Sequence, residues 1–68
     1  MYKSVLTMRE KEIFTLLTQN KTTKEIASIL KISEKTVRNH ISNTMQKLGV
    51  KGRASAVVEL IKLQEIKL

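Results

Sequence analysis

Residues 33–48, SEKTVRNHISNTMQKL, carry the pattern that decides the fold. At about 100° per residue, Val37, Ile41, Thr44, Met45 and Leu48 fall on one side of a helix, and Lys35, Arg38, Asn39, Ser42, Asn43 and Gln46 fall on the other. Ser33 is a good N-cap, and Glu34 in the first turn suits the helix dipole. Gly49 stops the helix, because glycine best tolerates the left-handed conformation that follows one. The polar side is more than soluble. Arg reads guanine edges bidentately, Asn and Gln read adenine, Ser reads either, and one helix fits the major groove of B-DNA. A solvated surface is the plain alternative for any polar helix face, and the surrounding sequence decides between the two.

Upstream, Thr7-Met8-Arg9-Glu10 forms a capping box that opens a first helix with Ile13, Leu16 and Leu17 as its buried stripe and Phe14 beside it. Glu10 lies near the edge of that stripe. It can cap, or pair with a basic side chain from another helix, and the local motif favours the cap. A second box, Thr22-Thr23-Lys24-Glu25, opens a short helix that turns Ile26, Ala27 and Leu30 inward and ends before Lys31-Ile32-Ser33. Downstream, Val50 to Gly52 form a basic connection, and a fourth helix is expected from about Arg53 to Ile66. The chain is thus expected to be all-α. A short helix, a turn of three or four residues and a longer amphipathic helix are the parts of a helix-turn-helix.

Sixty-eight residues make one small domain, and without cysteine neither a disulfide nor a thiolate zinc site can staple it. Its stability must come from packed helices, a partner subunit, or both. There is no proline, and the two glycines stand at positions 49 and 52, which favours helices with short connections over a sheet. Neither a secretory signal nor a long apolar run is evident, so a soluble, cytoplasmic chain is expected. The formal charge is +7, and residues 21 to 53 hold eight basic against two acidic side chains. That concentration is the footprint of a nucleic-acid surface, although membrane-surface and acidic-protein binders also carry basic segments.

LTMREKEIFTLL, TTKEIASIL, KISEKTVRNHI and QKLGVKGR together resemble the LuxR-type DNA-binding domain, in order and without a gap from Leu6 to about Ile66. Within that family the resemblance is greatest to a stand-alone regulator of late spore-coat genes. Asn20 is a departure, since many relatives have glycine after the first helix, and asparagine also tolerates positive φ. The resemblance implies a four-helix domain over residues 7–68 preceded by a short flexible arm, 1–6. Helix three would enter the major groove, braced by helices one and two, and helix four would mediate dimerisation. Larger relatives carry an N-terminal sensing domain; if this chain is complete, its activity should follow its abundance.

Base reading is assigned to Arg38, Asn39, Ser42 and Asn43, with Lys35 at the entry to the groove. Phosphate contacts fit Thr22, Thr23, Lys24, Ser33, Thr36, Lys47, Lys51 and Arg53, although the threonines and the serine could equally be only caps. His40 matches the histidine of the family's TVxxH segment and is read as structural or phosphate-facing. With one histidine and no cysteine, no metal is expected, and no cofactor or small-molecule ligand is implied. No catalytic constellation is evident, so an enzyme is not expected.

Helix four is apolar over roughly 220° of its circumference, wider than one core needs. Ala56, Leu60 and Leu63 are expected to face the core, with Val57 at the border, leaving Ala54, Val58 and Ile61 for a partner. The dimer interface is therefore read as Ala54, Val57, Val58 and Ile61, on a pseudo-palindromic site. The partners expected are double-stranded DNA, a second copy of the chain and RNA polymerase, with no membrane. The alternative is a helical module that docks on the transcription machinery without reading DNA. A docking helix would usually present aromatic or aliphatic anchors, and helix three presents Arg, Asn, Ser and Gln.

Overall fold

The computed structural model describes residues 6–66. Among them are four helices and no strand: α1 Met8–Thr18, α2 Thr23–Leu30, α3 Glu34–Leu48 and α4 Arg53–Lys62. The first three begin where their caps require. The hydroxyls of Thr7, Thr22 and Ser33 accept from the backbone N–H three residues on, and Glu10 and Glu25 complete the first two boxes by accepting from the amides of Thr7 and Thr22. Each cap satisfies donors that the helix itself leaves open.

All four helices close on a residue in the left-handed conformation: Asn20 (φ 65°), Lys31 (φ 59°), Gly49 (φ 68°) and Gln64 (φ 59°). After α1, α3 and α4 the paired bonds of a Schellman motif are present, as in Val50 N–H to Met45 O (3.1 Å) with Gly49 N–H to Gln46 O (3.2 Å). Asn20 keeps its turn without glycine, in line with the tolerance of that side chain for positive φ.

α3 is the hub, packing against α1, α2 and α4, while α1 also touches α2. Ile13 and Phe14 of α1, Ile26 and Ala27 of α2, Val37 and Ile41 of α3, and Ala56 and Leu60 of α4 make the centre of the core. Phe14, expected beside the stripe of α1, is fully buried, while Leu16 and Leu17 are half-buried. The reason is that α1 meets two helices, so its buried arc is wider than a single stripe. Thr44 is also fully buried, and its hydroxyl donates to the carbonyl of His40 at 2.8 Å, which satisfies it within α3.

Two boundaries differ from expectation. α4 stops at Lys62 rather than near Ile66, because Gln64 turns left-handed and the amide of Glu65 donates to Leu60 O at 2.9 Å. That reversal exposes Leu63 (39 %) and buries Ile66 in its place, so Ile66, not Leu63, completes the core at this end. Glu65 is carried inward by the same turn, with its carboxylate 3.9 Å from the ammonium of Lys11 on α1. At the other end, Leu6, expected in the flexible arm, is buried in the core; the rest of that arm, residues 1–5, lies outside the described residues, as do residues 67–68.

Candidate nucleic-acid interface

Burial of Val37, Ile41 and Thr44 against the other helices fixes which side of α3 faces outward. Lys35, Arg38, Asn39, Ser42 and Asn43 are all exposed along that side, as is Gln46. Six hydrogen-bonding side chains on one helix packed against three others form a polar strip. Rigid elements hold such side chains in fixed relative positions, which is what recognition of a regular lattice of donors and acceptors needs. Arg38 is not isolated on that strip: its Nη2 donates to Glu34 Oε2 at 2.8 Å, one turn earlier.

The residues expected at phosphates divide by geometry. Thr22 and Ser33 are exposed, and both serve as caps, with hydroxyls accepting from Glu25 N–H (3.1 Å) and Thr36 N–H (3.0 Å). A capping hydroxyl accepts with its oxygen and retains a proton to donate, so capping leaves these groups able to meet an anion. Thr36 and Thr23 are half-buried, and the Thr36 hydroxyl lies 2.9 Å from that of Ser33. Lys24, Lys51 and Arg53 are exposed. α4 begins at Gly52 with no side-chain cap and no acid in its first turn, and Arg53 stands there instead. A cation at a helix N-terminus opposes the dipole, so the position of Arg53 has no helix-stabilising rationale.

Lys47, expected at a phosphate, is exposed and also engages α1. Its ammonium donates to Glu10 Oε1 at 2.7 Å, across 37 residues of sequence, and the Glu10 carboxylate is buried. The same Oε1 accepts from the amide of Thr7 at 2.9 Å, so Glu10 caps α1 and pairs with α3 at once. Burial pushes the Glu10 carboxyl upward, but the hydrogen bond from Lys47, those from Thr7 and the Lys47 charge outweigh it and hold the group below its ordinary value of 4.5. Lys47 thus joins α1 to α3. His40 is half-buried, with its carbonyl taken by Thr44, and among the described residues no group of three His, Cys, Asp or Glu is arranged to hold a metal ion.

On α4 the polar order reverses. Ala54 is exposed and Val58 is 51 % exposed, whereas Val57 and Ile61 are half-buried against the core. Val50, Ala54, Ser55, Val58 and Glu59 line a shallow depression there. Residues missed by the sequence reading include Glu34 as the partner of Arg38, although its spacing of four residues was the available signal. Met8 and Ile29 are exposed apolar side chains beside a groove between α1 and α2, and they lie outside the polar strip. No described helix is long and apolar enough to cross a membrane.

Comparison with known proteins bears on this arrangement. Residues 4–60 match the family model described as bacterial regulatory proteins, luxR family. The chain is 71 % identical over 66 residues to spore germination protein GerE of Bacillus subtilis (strain 168), covering 97 % of this chain and 89 % of that protein. It is 50 % identical over 58 residues to the transcriptional regulatory protein DegU of Brevibacillus brevis, where the match covers 85 % of this chain but only 25 % of the relative. The solved structure of the transcription factor GerE superposes with a TM-score of 0.93 at 62 % identity, covering 96 % of this chain and 97 % of that one.

Proposed function

This chain belongs to the luxR family of bacterial regulatory proteins and is a DNA-binding transcriptional regulator, and on that footing we propose how it binds and what it controls. α3 lies in the major groove, where Arg38, Asn39, Ser42 and Asn43 meet base edges and Lys35 sits at the entry. Thr22, Thr23, Lys24, Ser33, Thr36, Lys51 and Arg53 contact the flanking phosphates, at helix N-termini and in the α3–α4 connection. Lys47 is a further phosphate contact, and through Glu10 it also supports the fold. Two copies associate through Ala54, Val57, Val58 and Ile61 of α4 and bind half-sites about one helical turn apart. The controlled genes belong to late sporulation and the spore coat, a reading supported by the identity to a protein named for spore germination. A cytoplasmic location on the chromosome, with RNA polymerase as the further partner at promoters, goes with it.

The observation that carries this reading is the outward strip of α3: six exposed side chains able to hydrogen-bond to bases, opposite a face on which Val37, Ile41 and Thr44 are buried. The cationic excess of residues 21 to 53 supplies the sequence-independent attraction. Affinity for a duplex selected from a random pool, and for a scrambled duplex of the same composition, should be measured over a salt series. Both should weaken steeply with salt, and the selected duplex should remain tighter by on the order of 10³. Equal affinity for the two at physiological salt would favour the protein-docking module instead.

A further inference from the structure

Residues 21 to 53 contain two acids, Glu25 and Glu34. Glu25 is accounted for by the capping box of α2, where its Oε1 accepts from the Thr22 amide at 2.9 Å. Glu34 completes no capping box, and its first-turn position beside the positive end of the α3 dipole does not require a bond to Arg38. The cap of α3 is Ser33, and the residue that would complete a box three positions on is Thr36 rather than an acid. Glu34 Oε2 instead accepts from Arg38 Nη2 at 2.8 Å, at the exposed edge of α3 where its buried face meets the polar strip. A half-buried carboxylate therefore stands in the first turn of the helix assigned to the groove, in the most cationic part of the chain, tied to the polar strip through Arg38. On electrostatic grounds alone it lowers affinity for every duplex.

We propose that Glu34 is a positioning residue that sets DNA discrimination through Arg38. The proposal rests on the reading of Arg38 as a base contact. A guanidinium has five N–H donors in a fixed planar fork, so one held by Glu34 leaves enough for a bidentate contact with guanine. At a matched site Arg38 keeps its bond to Glu34 while it reads the base. At an unmatched site its remaining gain is a phosphate, which it reaches by leaving Glu34 and stranding a carboxylate beside the DNA backbone. Glu34 thus weakens non-specific binding more than specific binding. The pair fixes a long, flexible side chain in one direction before the DNA arrives, which reduces the ordering needed on binding.

The test compares Glu34→Gln, Arg38→Ala and the double variant with the unaltered protein, using a duplex selected from a random pool and a scrambled duplex of the same composition. Gln keeps the size and an acceptor oxygen but removes the charge. Glu34→Gln should bind the scrambled duplex roughly three- to fivefold tighter, the scale of one partly exposed ion pair, and the selected duplex less than about twofold tighter. The specificity ratio therefore falls, and in the Arg38→Ala background Glu34→Gln should leave it unchanged. A helix-stabilising role alone would shift the thermal midpoint without moving that ratio. If Arg38→Ala lowers the ratio and Glu34→Gln does not, or lowers it equally with and without Arg38, the proposal is overturned and base reading by Arg38 stands. If Arg38→Ala leaves the ratio unchanged, both fall.

Discussion

Glu10 and Lys47 show how one residue pair can serve a cap, a core and a pH response together. The Glu10 carboxylate is 3 % exposed as a residue and accepts from Lys47 and from the Thr7 amide through the same oxygen. Removing Lys47 leaves a buried carboxylate without its cation, which is the costly way to break such a pair. Lys47→Met should destabilise the fold by about 2 kcal/mol at neutral pH, a value set below that of fully buried pairs because the lysine is partly exposed. The sign with pH follows from the depressed Glu10 carboxyl. Its stabilisation is fully present above the ordinary value of 4.5 and is lost as pH falls through the lower value of the folded state. Urea unfolding at neutral pH and below pH 4.5 should therefore show the gap between the two proteins narrowing on acidification; a gap that stays constant would remove Glu10 from the account. The cap was legible in the spacing from Thr7 to Glu10, whereas the pair was not, since its partner is 37 residues away and arrives only through the packing of α1 on α3.

Helix starts and helix ends differ in how plainly the chain announces them. The starts of α1, α2 and α3 follow from Thr7, Thr22 and Ser33, whose short polar side chains have a local hydrogen-bonding reason to be there. Ends at Asn20 and Gly49 follow from side chains suited to positive φ. Lys31 and Gln64 give no such signal: each is an exposed, ordinary side chain in the left-handed region, and the early end of α4 is hidden for that reason. The same asymmetry predicts stability. Gly49→Ala should cost about 1 kcal/mol through the backbone alone, because a Cβ there would meet nothing within 4 Å. Lys31→Gly, in the turn between α2 and α3, should stabilise by about 0.5–1 kcal/mol, the left-handed penalty relieved less the added chain entropy of glycine. Chemical denaturation of both variants checks the pair, and a loss of stability in Lys31→Gly would show that the lysine side chain holds the turn.

At the scale of the whole molecule, a domain of this size has a core that closes on one side of α4 and leaves Val58 outside it. Val58→Asp should leave the thermal midpoint within a few degrees of the unaltered protein, since its side chain is 51 % exposed, while abolishing two-fold association on DNA as read by sedimentation of the complex. Ile61 is a poorer probe, because it is half-buried against the core and a charge there would disturb the fold as well. The four-helix architecture and the outward strip of α3 were readable from periodicity and caps, and the pairing of Arg38 with Glu34 was available in their spacing of four residues; the reach of Lys47 to Glu10 needed the packed structure. The central claim is that this strip reads bases, and the most direct measurement is selection of bound duplexes from a random pool by the unaltered protein, Arg38→Ala and Asn39→Ala, with helicity monitored in parallel. The account predicts that each variant stays folded and loses preference at particular base positions, by about 1–3 kcal/mol of discrimination for a good bidentate contact. Recovery of the same base preferences by all three proteins, at normal helicity, would contradict it.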